Sequence, residues 1–455
     1  MTRNMPSHSS SFFVYSPTGS DVSSGQEHIL LHRFSPAWLQ VNDTGLEIAL
    51  AMDQGMPMDA VAQNLSEKYH ISLKAAHTDV SRVARALAEK EFFNRKNLGV
   101  FVRKPVLEST YLHITSRCNL SCVQCYAGCG QAHQKEDLPF SLISALLDEM
   151  TDQGAGSVII SGGEPLLHPD IRPILKKASE KLTIRLLTNG TLIDRSWADF
   201  LSDLNIYIQI SIDGPTAEIN DPIRGKGSYE KILQAVDYLQ AVGLGDRLNF
   251  CTTVMNQNLL YLKDIILLGT RIGVPLMRFL PLRRCGMARD NWRDIGSGIH
   301  ITDHETFYTH VTEMQRTHPS SVDISCGLSG FMLEIPKGFD DDIWCPIGKQ
   351  LVVDTNGDTY PCVLLMTADF KIGNIYDTGL MQMVQSREMQ QICRTLVQRR
   401  QLIDKCAACL WQNLCQAGCM GQALDNKGTV LDVDDFCDYR KKAYAWAFNT
   451  IIKGT

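Results

Sequence analysis

No apolar run in this 455-residue chain approaches the about 18 residues that span a bilayer. The first residues, MTRNMPSHSSSFFVYSP, lack the apolar core of a secretory signal. These absences argue against a membrane span and against export, and a cytoplasmic protein is expected. A basic excess is missing too. The net charge of −6 argues against a nucleic-acid partner, which calls for a basic face. Hydrophobic content of 44% and charged content of 21% are ordinary for a globular chain. The length exceeds one ordinary core, so roughly two to four domains are expected.

Cysteine, by contrast, is abundant, at 15 residues. In a reducing compartment they should not form a disulfide framework, and an odd count fits closed pairing poorly. Clustered cytosolic cysteines more often bind metal. Scattered ones more often serve as small buried hydrophobes.

Residues 1–25 are polar and Ser-rich, show no periodic pattern, and read as a loose tail. Residues 26–95 read as two or three strands followed by three short helices, a small winged-helix-like module. Asp43 is a plausible N-cap there, and Val80, Val83 and Leu87 lie on one helical stripe. Residues 106–320 alternate strand and helix patterns. TYLHIT, SVIIS, TIRLLT, IYIQIS, LNFCTTV and MRFLPL are short β-branched-rich runs separated by amphipathic stretches. Such alternation implies an α/β unit with a mostly parallel sheet. Six strands fall short of the eight of a closed barrel, so an open, partial (β/α)6 barrel of TIM type fits. Polar or Gly-rich loops follow the strands, at the edge where such folds carry their chemistry. Residues 326–455 are Gly- and Cys-rich, with a core that looks too small to stand without metal staples.

Within TSRCNLSCVQCYAGCG, Cys118, Cys122 and Cys125 are spaced C-x3-C-x2-C, and Cys129 follows. Three thiolates converging from a loop leave a fourth position open. With zinc that describes a catalytic site holding water. With a four-iron cluster it leaves one iron free. Structural zinc prefers two C-x2-C pairs, which this segment does not supply.

The motif, with Tyr126 after it and a strand before it, resembles the radical S-adenosylmethionine enzymes. GGEP (162–165), TNG, SIDG (211–214) and RGKGSYEKIL from Arg224 extend the resemblance over about 111–282. It implies that Cys118, Cys122 and Cys125 hold a reducing [4Fe-4S] cluster whose open iron binds S-adenosylmethionine. It implies a cofactor pocket lined by Gly162, Gly163, Glu164, Ser211 and Asp213, with Arg224 a further candidate. It also implies one-electron cleavage to a 5′-deoxyadenosyl radical that abstracts hydrogen from an unactivated C–H bond. An electron donor such as flavodoxin or ferredoxin is then required. Cys129 should not bind, since it would take the place of S-adenosylmethionine.

The C-terminal cysteines resemble the SPASM domain in order and spacing. Cys345 and Cys362 come first, then Cys406, Cys409, Cys415 and Cys419 as C-x2-C-x5-C-x3-C, then Cys437. The resemblance implies two auxiliary [4Fe-4S] clusters, three in all. Cys406, Cys409, Cys415 and Cys437 would hold the distal one, and Cys345, Cys362 and Cys419 the proximal one. Two fully ligated clusters need eight thiolates. Cys326 is the best-placed eighth, Cys285 the second, and with neither the proximal cluster has an open iron. A pair of structural zinc sites is the bland alternative. Cys251 and Cys393 read as core, while Cys129 and Cys285 lie in polar loops near the active edge.

The N-terminal module has two familiar counterparts, a winged-helix DNA reader and the PqqD-like recognition element that binds the leader of a ribosomally made precursor peptide. Six Lys/Arg against nine Asp/Glu in residues 26–93 give −3, which disfavours DNA. Its order and spacing resemble the peptide-binding element, which captures a leader by β-augmentation; a mere structural cap on the barrel is the bland reading. The whole chain is expected to be a radical S-adenosylmethionine peptide maturase forming an intramolecular carbon–carbon or thioether cross-link. The alternatives are oxidation of a protein residue, as in sulfatase-maturing relatives, modification of a small molecule, and a zinc-bound DNA-reading regulator.

Overall fold

Short β-branched runs need a sheet to bury both faces, and amphipathic helices need a sheet to cover. The computed structural model satisfies both demands in two sheets. It describes residues 10–17, 26–93, 105–128, 137–296, 323–326 and 345–453.

The first sheet is antiparallel, in the order β1 (Phe12–Tyr15), β2 (Glu27–His32), β3 (Trp38–Asn42). β1 corrects the expectation of a loose tail over 1–25. Four residues are too few to show a period, and the strand exists because β2 pairs with it from Phe12↔His32 to Tyr15↔Ile29. Helices α1 (Asp43–Asp53), α2 (Met58–Tyr69) and α3 (Leu73–Glu89) follow. The N-cap of α1 is Asn42, not Asp43: its side chain accepts from Gly45 N at 2.9 Å. Asp43 instead accepts from Gln26 N and contacts His28.

Strand alternation gives this sheet two apolar faces. Phe12, Leu30 and Val41 pack inward on Ala49, Leu87 and Phe92. Ile29 and Leu31 point the other way, onto Trp411, Leu414, Tyr444 and Phe448 of the C-terminal region. The N-terminal module is therefore seated on the cysteine-rich domain.

The six expected strands are present as β4 (Ser109–His113), β5 (Ser157–Ser161), β6 (Thr183–Thr188), β7 (Ile206–Ser211), β8 (Leu248–Val254) and β9 (Leu276–Pro281). Each is parallel to the next. Helices α4 (Phe140–Asp152), α5 (Ile171–Ser179), α6 (Arg195–Ser202), α7 (Ala217–Arg224), α8 (Ser228–Ala241) and α9 (Leu262–Ile272) connect them. In α5, Ile171, Ile174, Leu175 and Ala178 are buried against the strands while Lys176 and Lys177 end the helix, which suits its dipole.

Two later segments extend this sheet beyond six strands. β10 (Asp323–Cys326) runs parallel to β9, with Cys326 opposite Phe279. β11 (Gln350–Val353) runs parallel to β4, and β12 (Asp358–Tyr360) and β13 (Gly373–Asn374) add antiparallel. The order is β10-β9-β8-β7-β6-β5-β4-β11-β12-β13. The barrel and the cysteine-rich domain thus share one sheet. Among the described residues the remaining regular structure of that domain is helical, ending in Cys437–Lys453. Among the described residues no helix is long and apolar enough to cross a membrane.

Candidate functional site

The chain turns out of β4 into the cysteine loop at the C-terminal edge of the parallel strands. Thr115 Oγ1 anchors the turn by donating to Asp137 at 2.5 Å and accepting from Arg117 N at 3.0 Å. Cys118, Cys122 and Cys125 are all half-buried. Burial pushes the Cys122 thiol up to about 11, with Asp213, Cys125 and Cys118 adding to the shift and Arg224 opposing it. Cys118 is raised by burial first, then by Glu164 and Cys125. The three thiols therefore lie close enough to disfavour one another's ionisation.

The GGEP loop lies directly against them. Gly163 N donates to Thr115 O and Glu164 N to Arg117 O, both at 2.7 Å. A Cβ on Gly162 would meet Thr115 O at 2.3 Å and one on Gly163 would meet Arg117 O at 2.2 Å. Only glycine admits that approach, and Gly162, at φ +141, also needs its backbone freedom.

The other residues implied for the pocket hold the same loop from behind. Glu164 is fully buried and accepts from Thr188 Oγ1 and Asn189 N at 2.7 Å and from Leu166 N at 3.1 Å. Burial pushes its carboxyl up to about 7 against those hydrogen bonds. Asp213, also fully buried, accepts from Gln124 Nε2 at 2.5 Å and Thr253 N at 2.7 Å. Arg224 Nε lies 2.8 Å from Asp213 as a close ion contact rather than a directed hydrogen bond. The Arg224 carbonyl accepts from Cys122 Sγ at 3.7 Å. Ser211 ends β7 half-buried, opposite Cys251. Gln124 and the Asn189 side chain, 2.9 Å from Asn119 Oδ1, were not foreseen as site residues. Only the TNG motif pointed toward Asn189.

A cavity of about 340 Å³ opens between this edge and the cysteine-rich domain. His113, Tyr126 and Gly162 form one wall, Arg283 and Cys285 another, and Asp425 comes from the far domain. Tyr126 Oη lies 3.2 Å from His113 Nε2 and 3.4 Å from Tyr111 Oη, and Tyr111 donates to Ser161 at 3.3 Å. Burial pushes His113 down to about 4, so it is neutral at pH 7. Arg283 closes the cavity by pairing with Asp425 and donating to Leu364 O. Met287 N donates to Cys125 O at 2.8 Å, which ties the segment after Cys285 to the cysteine loop.

In the C-terminal domain Cys406, Cys409, Cys415 and Cys437 line one cavity, beneath Trp411 and Tyr444. Burial pushes Cys406 up to about 12, with Cys415, Cys437 and Cys409 adding to it. Cys362 is likewise up to about 12, with Cys419 its next largest influence. Cys345, Cys419 and Cys406 all bear on the buried Arg399. Cys326 ends β10, Cys129 lies outside the described residues, and Cys251 and Cys393 are buried core as expected.

Among the described residues no three Cys, His, Asp or Glu side chains are placed to hold a single metal ion. The thiols are nevertheless gathered in three places, one of them walled by glycines that exclude a Cβ. All-thiol donor sets of this kind suit iron–sulfur clusters.

Residues 112–268 match the model of the radical SAM superfamily, 345–410 that of an iron-sulfur cluster-binding domain (SPASM), and 27–92 that of coenzyme PQQ synthesis protein D. The chain is 28% identical over 325 residues to mycofactocin maturase MftC of Mycolicibacterium smegmatis, covering 68% of this chain and 76% of the relative. It is 26% identical over 353 residues to AdoMet-dependent heme synthase of Oleidesulfovibrio alaskensis, covering 73% and 88%. Streptococcus suis SuiB bound to S-adenosylmethionine shares the fold, with TM-score 0.60 at 15% identity over 90% of this chain and 95% of that one. So does anSMEcpe with bound AdoMet, with TM-score 0.63 at 19% identity over 76% and 98%. PqqD, radical SAM and SPASM models thus match in that order along the chain, and the three-cysteine loop at the edge of the parallel sheet lies within the radical SAM match.

Proposed function

We propose that this protein cross-links side chains within a ribosomally made precursor peptide, by a carbon–carbon or thioether bond. The observation that carries the reading is the seating of a PqqD-like sheet on the cysteine-rich domain, whose other side closes the cavity over the barrel edge. Among the described residues β3 pairs only with β2, so its outer edge can accept a leader strand. The names of the relatives support a peptide substrate: MftC is a maturase, and SuiB has been solved bound to precursor peptide SuiA.

Cys118, Cys122 and Cys125 would hold the cluster that binds S-adenosylmethionine. Together these cofactors supply, on one-electron reduction by a flavodoxin or ferredoxin, the radical that abstracts hydrogen. Gly162 and Gly163 keep the pocket wall thin. Glu164, Asp213 and Arg224 act through the backbone they hold, and Ser211 faces the same edge. Cys406, Cys409, Cys415 and Cys437 would hold a distal cluster. Cys345, Cys362 and Cys419 would hold a proximal one with Cys326 or Cys285, giving three clusters in all. The domains run 26–95, 106–320 and 326–455, in a cytoplasmic enzyme.

The test is mass spectrometry of a candidate peptide co-expressed with the enzyme. Loss of two hydrogens per cross-link is expected, and only when the leader is present. An unmodified peptide alongside turnover of a small molecule would overturn the reading.

A further inference from the structure

Resting on the proposal of two auxiliary clusters, a second feature concerns what lies between them. Arg440 is 2% exposed and sits one turn into the helix that Cys437 begins. Its Nε donates to Cys415 Sγ at 3.3 Å, on the distal side. Its Nη2 donates to Asp434 Oδ1 at 2.5 Å. The other oxygen, Asp434 Oδ2, accepts from Cys419 N at 2.7 Å, on the proximal side. Asp434 is 1% exposed. An unbroken polar chain thus runs from a distal thiol to the backbone of a proximal one.

Gly418 makes room for it. Its φ is +70, and a Cβ there would meet Arg440 Nη2 at 2.1 Å and Asp434 Oδ2 at 2.6 Å. Behind it stands Arg399, fully buried, which donates to the carbonyls of Val430 (2.6 Å), Gly418 (2.9 Å) and Asp432 (2.8 Å). Carbonyls satisfy its donors and leave its charge uncompensated. Both guanidinium groups stay protonated in a protein. Burying two cations beside a single carboxylate is costly unless other anions share the space. Thiolates on either side supply them.

We infer that Arg440 and Asp434, backed by Arg399, form a charged bridge between the two auxiliary thiol sets and raise the reduction potential of the distal one. A cation hydrogen-bonded to a cluster thiolate favours the state with the extra electron, because cluster potentials follow net charge and hydrogen bonds to sulfur.

The experiment is an EPR-monitored redox titration of the full-length reconstituted protein beside Arg440→Gln and Arg440→Lys. At a fixed potential, Arg440→Gln should lower the reduced-to-oxidised ratio of the distal signal about tenfold, a fall of about 59 mV for one electron. Arg440→Lys keeps the charge and should recover part of it. The barrel cluster's signal should not move. An unchanged distal midpoint with about twelve irons retained overturns the bridge alone. About four irons with no auxiliary signal removes the underlying reading and the bridge with it. Should the variants lose iron, pulsed EPR of wild-type protein labelled with [15N]arginine decides. A 15N coupling to the reduced distal cluster supports the bridge, and its absence overturns it.

Discussion

The barrel thiols and the C-terminal thiols share ligand chemistry but not surroundings. Beside Cys118 the foremost charged neighbour is the buried Glu164; beside Cys122 it is Arg224, which is itself paired to the buried Asp213 that opposes it. Around the C-terminal sets cations are more numerous, although Asp434 outweighs Arg283 at Cys419. Arg399 bears on Cys406, Arg440 on Cys415 and Cys437, Lys441 on Cys409, and Arg283 on Cys362 and Cys419. Net charge and hydrogen bonding to sulfur tune cluster potentials over a wide range. The first environment suits an electron giver and the second an electron taker. One chain would build both by changing what is buried beside cysteine.

Removing one ligand from each region breaks the comparison most sharply. Cys122→Ala should abolish S-adenosylmethionine cleavage and lower the iron content by about four per chain. Cys409→Ala should lower iron similarly yet leave cleavage in place, with cross-linking lost. Release of 5′-deoxyadenosine separates the two. Loss of cleavage in both variants would mean that the regions are not functionally distinct.

Next in size is the ion pair behind the barrel loop. Asp213→Asn leaves Arg224 buried without its counter-charge, and should cost about 3–5 kcal/mol in chemical denaturation. Asp435→Asn, in the exposed pair with Lys427 at 2.7 Å, should cost less than about 1 kcal/mol. Equal losses would show that Arg224 finds another anion.

What the sequence revealed was local in character. Cysteine spacing, strand–helix alternation and post-strand loops are written in short windows, and the six strands and the edge that carries the loop follow from them. β1 was missed because its apolar stretch is brief and its partner β2 begins twelve residues later. β10 and β11 were missed because what makes them strands is pairing to β9 and β4, the latter 241 residues away. The same holds for the site. The glycines of GGEP were visible, but not that Cβ atoms there would strike the cysteine loop. Asp434 and Arg440 each stand three residues from Cys437, yet their role depends on Cys415 and Cys419, which only the fold brings near.

The smallest expected effect among the buried barrel groups comes from a second carboxylate. Glu164 has its proton held up to about 7, against an ordinary value of 4.5. Between those values the folded protein keeps a proton that the unfolded chain has released. Stability from this group is therefore full below about 4.5 and is lost as pH rises through about 7. Glu164→Gln removes the titration while keeping one acceptor for Thr188 or Asn189. Thermal unfolding of both proteins across this window should show the wild type losing ground steadily as pH rises, by on the order of 3 kcal/mol at about 1.4 kcal/mol per unit. A difference that stays flat would mean that the three donors keep Glu164 ionised throughout. The barrel loop would then carry a permanent second anion beside Asp213, and its contrast with the arginine-lined C-terminal sets would be deeper.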